Sequence, residues 1–143
     1  MIESCRLDNA SMAVGAACQF LAGQEPFAGL AFGELVKTVA AQIQRGHYLF
    51  ARRDLELLAY VGWALCEEPV ATEWVSGRGA PHSDLCLNGP VFVAVTFASK
   101  ETAATRCLIR DCRRLYPGRQ AMFHRYYADG RPSRSGRVIN RRS

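Results

Sequence analysis

The stretch His47-Tyr48-Leu49-Phe50-Ala51-Arg52-Arg53-Asp54-Leu55-Glu56-Leu57-Leu58-Ala59-Tyr60-Val61-Gly62-Trp63-Ala64 reads as two short apolar strands joined by a tight charged turn, Arg52-Arg53-Asp54. The second strand ends in an aromatic-Gly-aromatic segment, Tyr60-Val61-Gly62-Trp63. Glycine weakens a strand because it has no side chain to pack. Inside one it marks a bulge or a close approach by another backbone or a ligand. The hairpin 47–66 sets the fold class, and the rest of the chain is placed around it.

Upstream, residues 9–22 have the composition of a helix, with Asn9 or Ser11 as N-cap, Gly23 as its stop and Pro26 as a break. Leu35, Val36, Val39 and Ile43 recur on one face of a second helix over 32–45, which Gly46 ends. Downstream, Glu67 to Pro90 reads as half helix and half loop. Val91-Phe92-Val93-Ala94-Val95-Thr96-Phe97 is a near-continuous apolar run, the pattern of a central strand covered on both faces.

Lys100 to Tyr116 is the clearest helix. Ser99 serves as its N-cap, Glu101 sits in its first turn, and Ala103, Cys107, Leu108, Cys112 and Leu115 form its apolar stripe. Pro117-Gly118 ends it. Residues 122–127 form a strand, Asp129-Gly130 a turn, and 137–140 a last short strand. The order is α, α, β, β, (α), β, α, β, β: an α+β domain.

With 143 residues the chain has the length of one domain. Residues 131–143 read as a basic tail that is open to fraying outside that last short strand. No apolar run reaches the roughly 18 residues needed to cross a bilayer. The first eight residues carry Glu3 and Asp8 and lack the basic-then-apolar order of a signal peptide, so a cytoplasmic location is expected. The six cysteines form no Cys-x-x-Cys pair and the three histidines are scattered, which argues against a zinc site.

Charge is uneven. Residues 106–143 hold eleven arginines against Asp111 and Asp129, for a net +9, whereas residues 1–105 have a net −4. Such asymmetry suits an acidic partner for the C-terminal third, or simply a solvated basic tail.

A hairpin, a strand running into a helix and a further hairpin follow the order of a GNAT-type acyltransferase domain, a mixed, mostly antiparallel sheet flanked by helices. More specifically, the chain resembles the RTX toxin-activating lysine acyltransferases, the hemolysin-activating family, which are GNAT-like. The matching residues are Tyr48, Arg52, Ala59, Tyr60, Trp63 and Ala64 in the hairpin, Phe92-Val93 in the central strand and Tyr116-Pro117-Gly118 at the end of the main helix. Asp129 with Arg137-Val138, and upstream Gly15 and Phe20-Leu21, extend the similarity over roughly residues 13–140. The resemblance implies transfer of a fatty acyl group from acyl carrier protein to a lysine of a partner such as an RTX-type protein. It implies no tightly bound cofactor and no membrane span. A homodimer is a further expectation that the sequence leaves open.

The family's catalytic histidine follows the glycine of the N-terminal helix, where this chain has Ala16. The catalytic aspartate follows the aromatic-aliphatic pair, where it has Ala94. A His–Asp pair deprotonates the attacking amine, which two alanines cannot do. Acyl transfer to an amine can still proceed when thioester and neutral amine are simply well positioned.

The remaining candidates for chemistry are Cys18, His47 and Thr96. Against Cys18 stands a plainer reading as a buried core cysteine, and against His47 one as a surface histidine at a strand end, while Thr96 flanks the strand-to-helix turn. His82 and Asp84 could pair in their loop. For the acyl donor, the backbone N–H groups at the strand-to-helix turn beside Ser99 and Lys100 would hold a phosphopantetheine arm or thioester carbonyl. Arg106, Arg110, Arg113 and Arg114 would face an acidic carrier protein.

Three functions therefore compete: an acyltransferase, a catalytically silent relative that binds or regulates, and a nucleic-acid binder acting through 106–143, with Tyr126 and Tyr127 stacking on bases. The acyltransferase reading requires a tunnel between the central strand and the hairpin with an acid–base group at its mouth.

Overall fold

A computed structural model describes residues 1–76, 88–125 and 134–139. The protein is α+β, with a mixed sheet flanked by helices, an architecture compatible with a GNAT-like fold. Its elements are β1 (Ile2–Cys5), α1 (Ala10–Ala22), α2 (Phe32–Arg45), β2 (Tyr48–Arg53), β3 (Glu56–Cys66), α3 (Glu68–Val75), β4 (Val91–Ser99), α4 (Thr102–Leu115), β5 (Gln120–Arg125) and β6 (Arg134–Ile139). The chain divides into two compact units, 1–62 with 96–112 and 63–95 with 113–143. Strand order is β1-β2-β3-β4 in the first and β3-β4-β5-β6 in the second. β1 and β2, β2 and β3, and β5 and β6 pair antiparallel, while β4 and β5 pair parallel.

In the first unit, Tyr48 faces Gly62 and Phe50 faces Tyr60 across the β2–β3 ladder. Strand alternation puts these four on one face, against which α1 and α2 pack. From α1 come Ala13, Ala17, Phe20 and Leu21, and from α2 Leu35, Val39 and Ile43. The aromatic rings interlock, with Phe50 and Tyr60 centroids 5.2 Å apart and Tyr48 edge-on to Phe50 at 5.9 Å. Full burial of each such side chain stabilises the fold by about 1.5–3 kcal/mol.

The opposite face carries Leu49, Ala51, Ala59 and Val61, all buried. Ser4 lies opposite Ala51 and donates to Asp111 Oδ2 at 2.6 Å, which places α4 over that face. Both faces of the hairpin are covered, which is why its strands are continuous apolar runs.

Several expectations change. The N-terminal residues form a strand, β1, too short and too mixed in composition to be read from sequence. Its Glu3 pairs with Arg52 at 3.0 Å. The hairpin turn is Asp54-Leu55, with Arg52 and Arg53 still in β2. Asp54 takes the left-handed conformation (φ 54°), which aspartate tolerates better than most residues. In β4 burial alternates and Phe92, Ala94, Val95 and Phe97 are only half-buried, so the strand is not sealed on both faces along its length.

The inner positions of α4 are Ala104, Cys107 and Leu108. Ala103 is exposed, Leu115 is 44% exposed and Cys112 is half-buried. Ser99 closes a turn ahead of α4 instead of capping it: its hydroxyl accepts the Glu101 N–H and donates to the Glu101 carbonyl. Asn9 does cap α1, accepting from the Met12 N–H at 3.0 Å, and Gly46 ends α2 at φ 74°. The segment 67–90 opens with α3. The turn at 129–130 and the residues Cys86, His82, Asp84, Tyr126 and Tyr127 lie outside the described residues.

In the second unit, α3 and the strands bury Ala64, Cys66, Ala71, Val91, Val93 and Met122 together. Trp63 packs against Phe92 at 5.4 Å and edge-on to Tyr116 at 5.8 Å, and its Nε1–H donates to the Tyr116 hydroxyl at 3.0 Å. The hairpin tryptophan and the Tyr-Pro-Gly at the helix end, two separated parts of the resemblance, are thus bonded to each other.

Arg53 donates through both terminal nitrogens to Glu101 at 2.9 Å each. Those hydrogen bonds, helped by the guanidinium's charge and opposed by partial burial, hold the Glu101 carboxyl below its ordinary range. A carboxyl with a depressed folded pKa adds stability above its unfolded value, about 4.3, and loses it as pH falls through the folded value. Both side chains are more than a third exposed, so the contribution is modest and salt-sensitive. Glu101→Gln is expected to flatten the acid limb of a stability–pH curve measured from pH 7 to 3. An unchanged limb would show that the pair contributes nothing.

Candidate functional site

The point of closest approach on the hairpin is Gly62. A Cβ added there would lie 1.8 Å from Gln42 Oε1 and 2.2 Å from Gln42 Cδ. The group that requires glycine is therefore a side-chain carboxamide, neither a backbone nor a ligand. Gln42 stands on the apolar face of α2 beside Val39 and Ile43 and is 1% exposed.

A buried amide must find partners or cost a few kcal/mol. Here its Nε2 donates to Thr96 Oγ1 at 2.9 Å, and its Oε1 accepts from the Tyr60 hydroxyl at 2.7 Å. Burial raises the Tyr60 pKa far above a phenol's usual value, reinforced by Tyr48 and Cys18 and partly offset by Arg45. Tyr60 is thus a fixed neutral donor. Among the described residues no buried side-chain nitrogen or oxygen lacks a partner.

The three candidate catalytic side chains lie in or beside this network, and Thr96 and His47 are hydrogen-bonded there. Thr96, 2% exposed, accepts from Gln42. His47 is buried, not on the surface: its backbone N–H donates to the Gln42 carbonyl at 2.9 Å, and its Nδ1 accepts from Arg45 Nε at 3.2 Å. That bond commits the Nδ1 lone pair. Cys18 packs half-buried against the α1–α2 core, close enough to Tyr60 to act on it electrostatically. Burial raises its thiol pKa, so it stays protonated near neutrality and is a weak nucleophile.

Burial also pushes the Cys112 thiol up to about 12, reinforced by Asp111 and partly offset by Arg6. Both cysteines should alkylate slowly with iodoacetamide at pH 7 and faster as pH rises. Rapid labelling of Cys18 at pH 7, followed by peptide mapping, would show an activated thiol and contradict this.

The two positions where the resemblance calls for acid–base residues hold small apolar side chains. Ala16 packs half-buried against the α1–α2 core, and Ala94 is half-buried in β4. At the strand-to-helix turn, the Lys100 N–H donates to Leu58 O at 2.8 Å. Leu58 is the extra residue of a bulge in β3, between Leu57 opposite Arg52 and Ala59 opposite Ala51. The Glu101 N–H is taken by Ser99, so two of the backbone donors expected to face an acyl donor are occupied. Lys100 Nζ lies 5.5 Å over the Phe20 ring. Arg106, Arg110 and Arg113 are exposed on α4. Arg110 pairs with Asp111 at 3.1 Å.

In the second unit a depression of about 550 Å³ opens between Glu68, Pro90 and Arg119. Arg119 is fixed there, donating to Gly89 O and Asn88 Oδ1 while stacking 5.1 Å over Tyr116. This depression is lined by α3, the start of β4 and the start of β5, not by the β2–β3 hairpin where a tunnel was expected. Among the described residues no group of three His, Cys, Asp or Glu could hold a metal ion, and no helix is long and apolar enough to cross a membrane.

Sequence reading missed Gln42. Its signal was present: a polar residue seven positions after Leu35, on the apolar face of α2, with a strand glycine between aromatics to receive it. Compared with known proteins, the chain matches no family model, and no curated protein matches it in sequence.

Proposed function

We propose that the chain is a catalytically silent relative of the toxin-activating lysine acyltransferases: a GNAT-like module that binds an acyl carrier protein without moving its acyl group to a lysine. One observation carries this reading. The side chains best suited to chemistry (Thr96, His47 and Cys18) are held in or around a satisfied core network, while the positions that should supply acid and base are Ala16 and Ala94. Proton removal from an attacking amine contributes typically 10²- to 10⁴-fold to such a reaction. Positioning alone must then carry all the catalysis if any remains. In this reading the module acts in the cytoplasm, where soluble acyl carrier protein and a lysine-bearing partner would meet it.

The test is intact-mass analysis after incubating the chain with acyl-loaded carrier protein and a lysine-containing RTX-type protein, alongside a calorimetric titration of the carrier protein. Binding without any mass increase on the acceptor is expected. An acylated acceptor lysine would establish an enzyme that works by positioning and would end the silent reading.

A further inference from the structure

The depression in the second unit is built around a guanidinium whose hydrogen-bond acceptors, among the described residues, are neutral. Arg119 donates through Nη1 to the Gly89 carbonyl at 3.1 Å and through Nη2 to Asn88 Oδ1 at 3.4 Å. It lies 5.1 Å over the Tyr116 ring, and Tyr116 is itself held by the Trp63 indole. Gly89 is pinned in turn. Its N–H donates to the Leu65 carbonyl at 2.9 Å, and a Cβ there would collide with the backbone of Cys66 and Glu67. An arginine in open solvent swings freely, whereas this cation is set in place before any ligand arrives, which lowers the cost of binding one. A guanidinium has five N–H donors, and these contacts use one on each terminal nitrogen.

The depression, about 550 Å³, has the size of a small-molecule site. Glu68, exposed at the start of α3, lines it as well. A simple anion would be drawn to Arg119 but repelled by Glu68, and a simple cation the reverse. We infer that this depression binds a small amino carboxylate, of amino-acid to dipeptide size, with its carboxylate on Arg119 and its ammonium on Glu68. A guanidinium–carboxylate contact is charge-assisted and stronger than either neutral bond Arg119 already makes. The site is separate from the Gln42 network and does not depend on the proposed function.

The experiment follows backbone amide signals of the full chain by nuclear magnetic resonance during titration into the millimolar range. The probes are glycylglycine, N-acetylglycine (carboxylate without ammonium) and glycinamide (ammonium without carboxylate). Glycylglycine should shift the Gly89, Gly118 and Gln120 signals saturably, and each single-charge probe should bind about tenfold more weakly. Arg119→Gln should weaken glycylglycine binding about tenfold. Glu68→Gln should weaken glycylglycine while leaving N-acetylglycine no weaker. Circular dichroism melts check folding, and Glu68→Gln, a change at an exposed position, decides the matter if Arg119→Gln unfolds. Absence of saturable shifts with glycylglycine would overturn the inference. Equal binding of N-acetylglycine, or glycylglycine binding untouched by Glu68→Gln, would overturn it too.

Discussion

Gly62→Ala is expected to lower folding stability by about 2–5 kcal/mol, far more than glycine-to-alanine changes usually cost in a strand. The added methyl would coincide with the Gln42 carboxamide, 1.8 Å from its Oε1. The end of a glutamine is ordinarily free to swing aside at little cost. This one is 1% exposed and bonded at both ends, so moving it leaves the Tyr60 hydroxyl and Thr96 without their partner in a buried setting. Each stranded polar group costs about 1–3 kcal/mol. The opposing gain, from a stiffer unfolded chain, is only about 0.4–1 kcal/mol.

A double-mutant cycle separates the cause from generic strand damage. In a Gln42→Ala background the clash is gone, so Gly62→Ala should cost little or even stabilise. Urea denaturation of the four proteins should then give a coupling of about 2 kcal/mol or more. Equal costs of Gly62→Ala in both backgrounds would show that the carboxamide is not what the glycine accommodates.

The same site shows why some of the fold could be read from the chain and some could not. Glycines at 23 and 46, the cap at Asn9 and the spacing of Leu35, Val39 and Ile43 are local signals, and they placed α1 and α2 within a residue. The hairpin was equally legible, but not the position of its turn. Arg52 and Arg53 look like loop residues, yet each has a carboxylate waiting, Glu3 from β1 and Glu101 from the start of α4. Those partners are 49 and 48 positions away in sequence.

β1 escaped for a related reason: four residues bearing a charge become a strand only because β2 is there to pair with. At the candidate site the individual residues were visible, but their commitments were not. Thr96 looks like a free hydroxyl and His47 like a surface imidazole until Gln42 and Arg45 are brought beside them. Periodicity shows which face a residue occupies, whereas hydrogen-bond satisfaction is a property of the assembled core.

Trp63→Ala should be the other severe substitution, lowering stability by about 3–5 kcal/mol, and it tests whether the most distinctive residue of the hairpin is scaffold. Trp63 is fully buried, its ring packs on Phe92 and Tyr116, and its indole N–H is bonded to the Tyr116 hydroxyl. Alanine would remove the ring contacts and the donor together.

Trp63→Phe distinguishes the two contributions. It keeps an aromatic surface against Phe92 but leaves Tyr116 without the indole donor, for an expected loss of about 1–2 kcal/mol plus the smaller ring's packing deficit. Chemical denaturation followed by far-ultraviolet circular dichroism avoids relying on the fluorescence of the residue being removed. If Trp63→Ala fell within 1 kcal/mol of the wild type, the tryptophan would not be holding the second unit's core. If instead the graded loss appears, Trp63 and Tyr116 are a structural pair. The resemblance they carry is then one of architecture.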